Sequence, residues 1–176
     1  MRHARSRGSA RIIRRSTSNS AAPVRFLELR IPPPAVALII AGAMWIVAPL
    51  YGVLQLPDLV RLTSAITLGT IGIAVAIGGV RSFHRARTTV SPLKPQSSTA
   101  LVSTGVYSFT RNPMYLGMML ALCAWAVYLS SMVSLLGPVV FVLYITRFQI
   151  VPEERVLEQL FGAPFAAYRK RVRRWL

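Results

Sequence analysis

Long stretches without a charged residue constrain the fold of this chain more than any other feature of its sequence. Residues 34–54 and residues 62–80 contain no charged side chain. Each stretch is close to the roughly 20 apolar residues that a helix needs to cross the hydrocarbon core of a membrane. We therefore predict two membrane-spanning helices in the first half of the chain.

A third uncharged stretch covers residues 114–146. As one helix it would be roughly 50 Å long, which is too long for a single untilted span. Its most polar point is Ser130-Ser131, so we predict a tight hairpin of two helices, residues 113–129 and residues 132–150. Gly137-Pro138 would then lie inside the fourth helix, where we expect a kink.

The distribution of charge supports an even number of crossings. The chain has 21 basic and 5 acidic residues, and the basic ones concentrate before the first span, between the second and third spans, and after the last. Cytoplasmic loops of membrane proteins carry the excess of Lys and Arg. We therefore predict an all-α, polytopic bundle of about four transmembrane helices in a cell membrane of bacterial type, with both termini cytoplasmic.

We predict that the chain has two parts, a disordered basic arm at residues 1–30 and one membrane domain at residues 31–176 that contains all the spans. The net charge of +16 suits either nucleic acid or anionic lipid headgroups. Because the chain has membrane spans, we expect headgroups to contact the arm and the basic tail, and we expect no nucleic-acid partner. The single cysteine, Cys123, lies in an apolar run and cannot form an internal disulfide.

The tail predicts two amphipathic cytoplasmic helices. The first covers residues 153–161 and ends at Gly162, and Pro164 suits the first turn of the second. An apolar stripe on the second helix would lie in the membrane interface or cap the bundle; its members are Phe165, Tyr168, Val172 and Trp175. Glycines of the second span indicate close helix packing rather than a phosphate-binding loop; they are Gly69, Gly72, Gly78 and Gly79.

Two polar segments flank the predicted hairpin. In the first, Asn112 suits a helix N-cap and Pro113 a first helical turn, which is a purely structural interpretation. In the second, Glu153 and Glu154 suit the first turn of a helix, because acidic side chains interact favourably with the positive end of the helix dipole; this too is a purely structural interpretation. However, three of the five acids of this basic chain lie within residues 153–158. A cationic ligand would need an acid.

The order of these segments resembles the isoprenylcysteine carboxyl methyltransferase and phospholipid methyltransferase superfamily. The segment GVYSFTRNPMYLG corresponds to an Arg-His-Pro-x-Tyr-x-Gly element, and PEERVLEQLFGAPFAAYRKRVRRW corresponds to a Glu-Glu element with a Phe-Gly and a basic end. The resemblance covers residues 80–176. It implies an intramembrane helix bundle that binds S-adenosyl-L-methionine in a pocket on the cytoplasmic side.

The resemblance also implies site residues. Positions that match the cofactor contacts of the family are Thr99, Ala100, Leu101, Val102, Tyr107, Asn112, Pro113, Met114, Tyr115 and Glu153. Substrate-binding candidates are Arg111, Arg147 and Gln149. We assign no catalytic residue and no metal ligand, because in-line displacement from a sulfonium requires mainly positioning and desolvation.

Two positions depart from the family pattern. The usual histidine of the first element is Asn112, which keeps a hydrogen-bonding side chain but cannot be protonated. Gln149 stands where carboxyl methyltransferases of prenylated cysteine carry an arginine, which weakens the case for a carboxylate acceptor, although Arg147 lies nearby. We expect a methyltransferase that acts on a lipid-like or membrane-soluble acceptor. The alternatives are a phospholipid N-methyltransferase and a non-enzymatic membrane scaffold.

Overall fold

The computed structural model describes residues 28–51, 54–86 and 100–176, and every regular element in these ranges is helical. Its α-helices are α1 (Pro33–Val47), α2 (Asp58–Arg85), α3 (Pro113–Leu129), α4 (Leu136–Ile145), α5 (Val151–Phe161) and α6 (Ala163–Arg171). Nearly all of the predicted arm and the candidate residue Thr99 lie outside the described residues.

The helices confirm the predicted membrane bundle. Three of them are long and apolar enough to cross a membrane, namely Pro33–Tyr51, Asp58–Arg85 and Val133–Phe161, and α3 is a shorter apolar helix. Large apolar side chains such as Leu38 and Leu59 are about three-quarters exposed. In an integral membrane protein these side chains contact lipid, so their exposure is not unfavourable.

Glycine allows α2 and α3 to pack backbone against backbone. A Cβ atom on Gly117 of α3 would lie 2.5 Å from the carbonyl oxygen of Gly72 and 2.8 Å from the Cβ of Ala76. A Cβ on Gly72 would lie 2.8 Å from the Gly117 carbonyl oxygen. The prediction of close packing is thus confirmed at Gly72, and this contact fixes the start of α3 against α2.

The predicted hairpin is confirmed at Ser130-Ser131. Ser130 has a left-handed backbone (φ 50°) and ends α3, with its N–H donating to the carbonyl of Val127. The carbonyl of Ser130 accepts from the N–H of Leu54 at 2.6 Å, and both serines are buried. The link between α1 and α2 therefore covers the hairpin tip and satisfies its backbone.

The last span differs from the prediction. Helical structure continues from Val133 to Phe161, so the helix does not stop at residue 150, and the predicted helix at residues 153–161 is α5, which follows without a break. Pro138 lies in the first turn of α4 rather than in a helix interior as expected, and there its missing N–H costs no α-helical hydrogen bond. The irregularity lies instead at Thr146–Ile150, which is π-helical and which we call the π segment.

Pro152 explains the π segment. In a regular α-helix the carbonyl of Phe148 would accept from the N–H of residue 152, but proline has no N–H. The ladder therefore widens, and the N–H of Val151 donates to the carbonyl of Thr146, five residues back. A widened turn of this kind inserts about one residue into the helix and turns everything after it.

The tail folds back onto the bundle. Gly162 (φ 53°) ends α5 and Pro164 lies in the first turn of α6, as predicted. Phe165, Tyr168 and Val172 form a buried cluster, which favours the capping alternative over a helix lying in the interface. The helix ends at Arg171 rather than near Trp175, and Val172 is extended.

Candidate functional site

A partly buried carboxylate, that of Glu153, lies where the start of α3 meets α5. Glu153 Oε1 accepts a hydrogen bond from the hydroxyl of Tyr115 at 2.6 Å and one from Nε2 of Gln149 at 3.4 Å. Tyr115 is in the first turn of α3, and Gln149 is in the π segment one turn before Glu153. Three of the predicted site residues are therefore brought into direct contact.

The charge of Glu153 is not balanced by a nearby cation. In the described part of the chain, the other four acids each form an ion pair: Glu28 with Arg147 and Arg155, Asp58 with Arg61, Glu154 with Arg111 and Arg174, and Glu158 with Arg169. No such pair involves Glu153 in residues 28–51, 54–86 or 100–176. A partly buried carboxylate held by neutral donors suits a cationic ligand, because a second charge would offset its desolvation.

Tyr107 lies beside this carboxylate. Burial raises the pKa of Tyr107 above its ordinary range, and the nearby Tyr168 and Glu153 raise it further. Its ring packs edge-on against Phe83 of α2, with ring centroids 5.3 Å apart. The backbone carbonyl of Tyr107 accepts a 2.7 Å hydrogen bond from the Tyr168 hydroxyl, so α6 anchors the backbone that carries this ring.

An ion cluster adjoins the carboxylate. Glu154 pairs with Arg174 through two hydrogen bonds of 2.6 and 3.0 Å, and Nη1 of Arg111 lies 3.0 Å from the same carboxylate. Two guanidinium groups share one carboxylate, so the cluster carries one excess positive charge. Nε of Arg111 is buried and has no hydrogen-bond partner among the described residues, and burial lowers the pKa of Arg111.

Asn112 stands at the predicted N-cap position of α3 but does not cap the helix. Its side chain donates to the carbonyl of Arg174 at 2.8 Å instead, and the Thr110 hydroxyl donates to the same carbonyl at 3.3 Å. The first-turn N–H groups of α3 therefore have no side-chain cap. Groups of this kind can bind a carboxylate or phosphate.

The remaining candidates border the same region. Pro113 and Met114 pack near Gly79 of α2, where a Cβ would lie 3.0 and 3.3 Å from their Cγ atoms. Leu101 packs against the cluster of Phe165 and Tyr168, and Val102 is buried. Ala100, partly buried, begins the described part of this segment.

Arg147 is engaged elsewhere. Its Nη1 lies 3.1 Å from Glu28 Oε1, and Arg155 Nη2 lies 2.8 Å from Glu28 Oε2. Burial alone would raise the pKa of Glu28, but hydrogen bonds from the two arginines outweigh this and lower it. Arg147 is therefore already paired with a carboxylate of the chain itself, which it shares with Arg155.

Sequence reasoning missed three residues that shape this region: Glu28, Tyr168 and Arg174. The basic tail was interpreted as a lipid-contacting surface, so a specific partner for Arg174 was not expected. One signal was present in the sequence. Glu154 follows Glu153 directly, and two adjacent acids near an apolar core require separate partners. No sequence signal connects Glu28 to residues more than a hundred positions away.

Fold and sequence comparison agree on the class of protein. The structure is that of a helical integral membrane protein, and the sequence profile of the phospholipid methyltransferase family matches residues 60–164. This match covers more than half of the chain, so the chain belongs to that family and is a membrane methyltransferase. The resemblance inferred from the two polar segments is thereby confirmed.

Two relatives are similar to part of this chain. An uncharacterised protein of Haemophilus influenzae is 44% identical over 63 residues, which are 36% of this chain and the whole of that protein. The protein-S-isoprenylcysteine O-methyltransferase of Saccharomyces cerevisiae is 35% identical over 85 residues. This second match spans 45% of the chain but only 33% of the yeast protein.

Proposed function

We propose that the chain transfers a methyl group from S-adenosyl-L-methionine to a lipid-like or membrane-soluble acceptor. The observation that carries this proposal is the Glu153 carboxylate, which is partly buried and is hydrogen-bonded only to neutral groups in the described part of the chain. The donor is cationic at its sulfonium and its ammonium, so it would supply the charge that balances this carboxylate.

The residues around Glu153 fit the other parts of the same molecule. The carboxylate of S-adenosyl-L-methionine could pair with Arg111, which has an unsatisfied Nε–H, or with the uncapped first turn of α3. Tyr107 and Tyr115 offer aromatic faces to the adenine or the sulfonium. Ala100, Leu101 and Val102 offer backbone groups to the adenine edge. When bound, the donor supplies an already activated methyl group.

The contribution of the protein is then to position and to desolvate. Tyr115 and Gln149 hold the Glu153 carboxylate in one orientation, so an ammonium or a ribose hydroxyl would meet a fixed acceptor. The buried walls contributed by Val102 and Pro113 exclude water. A carboxylate acceptor requires no base, whereas a protonated amine must first lose its proton, and no side chain is assigned to accept that proton.

A phospholipid amine is the second candidate acceptor. The side chain at the position of the family arginine is the neutral Gln149, which donates to Glu153. Arg147, the nearby substitute considered from the sequence, is paired with Glu28. Both observations reduce the positive charge available to a carboxylate acceptor and favour an amine.

The proposal is tested by incubating the detergent-purified protein with methyl-labelled S-adenosylmethionine and a total lipid extract. We expect labelled lipid from the wild type and from Glu158→Gln, and little from Glu153→Gln. Mild alkali distinguishes the acceptors, because a methyl ester releases volatile methanol and an N-methyl group does not. Equal labelling by all three proteins would contradict the assigned site.

A further inference from the structure

The polypeptide just before the first membrane helix reaches the last one. Glu28 and Leu29, which we call the strap, lie within a turn that precedes α1. They are outside residues 60–164, where the family profile matches. Both residues nevertheless contact the π segment, more than a hundred positions along the chain.

Glu28 forms ion pairs with two arginines that lie on either side of Pro152 along the chain. Arg147 belongs to the π segment and Arg155 to α5. The Glu28 side chain is only 13% exposed, whereas those of Arg147 and Arg155 are 46% and 43% exposed. One carboxylate, lying beneath two more exposed guanidinium groups, thus connects the residues before and after Pro152.

Leu29 satisfies the backbone group that Pro152 leaves unpaired. Its N–H donates to the carbonyl of Phe148 at 3.1 Å. That carbonyl is the one that would accept from residue 152 in a regular α-helix. Leu29 has φ 58°, a left-handed conformation that is unfavourable for a residue with a Cβ, so its contacts must hold it there.

The strap therefore contacts the helical turn that orients Glu153. Gln149 belongs to the π segment, and Glu153 follows it directly after Pro152. If the widened turn relaxed by one residue, the residues after it would rotate by about 100° relative to α4. Such a rotation would move the Glu153 carboxylate away from the Tyr115 hydroxyl.

We propose that Glu28 is a positioning residue of the methyl-donor site, acting through Arg147 and Arg155 to hold the π segment in the geometry that turns Glu153 toward Tyr115. This inference rests on the proposed function only for the identity of the ligand. The geometry that it explains consists of two ion pairs and one backbone hydrogen bond within the described residues.

The test compares Glu28→Gln with Glu158→Gln by calorimetric titration with S-adenosylmethionine. Both substitutions remove one carboxylate that pairs with arginine, and Glu158 lies on α5 itself, where its partner Arg169 leaves the π segment untouched. We expect Glu28→Gln to weaken binding roughly tenfold, since small displacements of a positioning group have effects of this size. We expect Glu158→Gln to bind like the wild type.

A second comparison separates positioning from general destabilisation. In protein that already carries Arg147→Gln and Arg155→Gln, Glu28→Gln should weaken binding no further, because the two arginines through which Glu28 acts are absent. A further loss of similar size would show that Glu28 acts by another route and would overturn the inference. If Glu28→Gln does not yield folded protein, Glu28→Asp, whose shorter side chain cannot reach both arginines, replaces it.

The outcomes distinguish the two proposals. Wild-type protein that binds, with Glu28→Gln binding equally well, overturns the role of Glu28 and leaves the proposed function intact. Wild-type protein that does not bind overturns the proposed function. Amide hydrogen exchange at residues 146–153 then decides about the strap, because faster exchange in Glu28→Gln supports it and unchanged exchange contradicts it.

Discussion

At the scale of single residues, the acids of this chain divide into two kinds. Glu28, Asp58, Glu154 and Glu158 are each paired with arginine, whereas Glu153 is held by a tyrosine and a glutamine. The sequence predicted that Glu153 matters, because the family pattern places an acid there. It could not predict that Arg147 is paired with Glu28, because pairing between such distant residues depends on how the helices pack.

The Tyr168 hydroxyl gives the tail a dependence on alkaline pH. Burial raises the pKa of Tyr168 to about 12. A group whose pKa is raised in the folded state contributes its full stability below the pKa of the unfolded state, which is near 10 for tyrosine. This stability is lost as the pH rises through the pKa of the folded state. The wild type should therefore lose stability between about pH 10 and 12, and Tyr168→Phe should lose less over the same range.

The measurement is thermal unfolding across this pH range in detergent. At neutral pH, Tyr168→Phe should be less stable by about 1 kcal/mol, since it lacks the hydrogen bond to the carbonyl of Tyr107. Tyr51→Phe, at an exposed position, is the matched control. Identical pH profiles for the wild type and Tyr168→Phe would contradict this account.

At the scale of helices, the apolar stretches predicted the spans well because hydrophobicity alone decides which segments enter a membrane. The hairpin tip was predicted because Ser130-Ser131 is the most polar point of its stretch. The continuous last span was not predicted. Glu153 and Glu154 were interpreted as the first turn of a new helix, but in the folded chain Leu29 supplies the hydrogen bond that Pro152 cannot donate, and the helix continues.

The crossing of α2 and α3 should be intolerant of any side chain at Gly117. Gly117→Ala would place a Cβ 2.5 Å from a backbone oxygen that cannot move independently. We expect a loss of about 1–3 kcal/mol, the usual effect of overpacking. Gly42→Ala is the control, because nothing lies within 4 Å of its Cβ position, and it should unfold at the wild-type temperature or slightly above. Unfolding of both variants at the same temperature would refute the close crossing.

Restoring the N–H at position 152 should separate stability from ligand binding. Pro152→Ala allows the Phe148 carbonyl to accept from within the helix, so the π segment can relax to a regular α-helix. We expect unchanged or higher thermal stability together with weaker S-adenosylmethionine binding. Binding that is as tight as in the wild type would show that the π segment does not orient the site.

At the scale of the whole molecule, charge placement predicts the orientation in the membrane. Four crossings would place both ends of the chain on one side and the link between α1 and α2 on the other. The helices fix the number of candidate spans, but the side that each end faces follows only from the positive-inside rule and stays a prediction.

Cysteine labelling checks this topology. In a Cys123→Ala background, Asp58→Cys in whole cells should react with an impermeant maleimide, because Asp58 is 88% exposed. Arg173→Cys in the exposed tail should react only after the membrane is permeabilised. Labelling of both positions from the same side would require an even number of crossings between them and would contradict the predicted topology.

The whole arrangement converges on one claim, that the chain binds S-adenosylmethionine through the Glu153 carboxylate. Calorimetric titration of the detergent-purified protein tests it most directly, with Glu153→Gln as the variant and Glu158→Gln as the matched control. We predict binding by the wild type and the control, and a loss of about 1.5–3 kcal/mol, or about tenfold to a hundredfold in affinity, in Glu153→Gln. A folded wild type that does not bind, or a Glu153→Gln variant that binds equally well, would contradict the account.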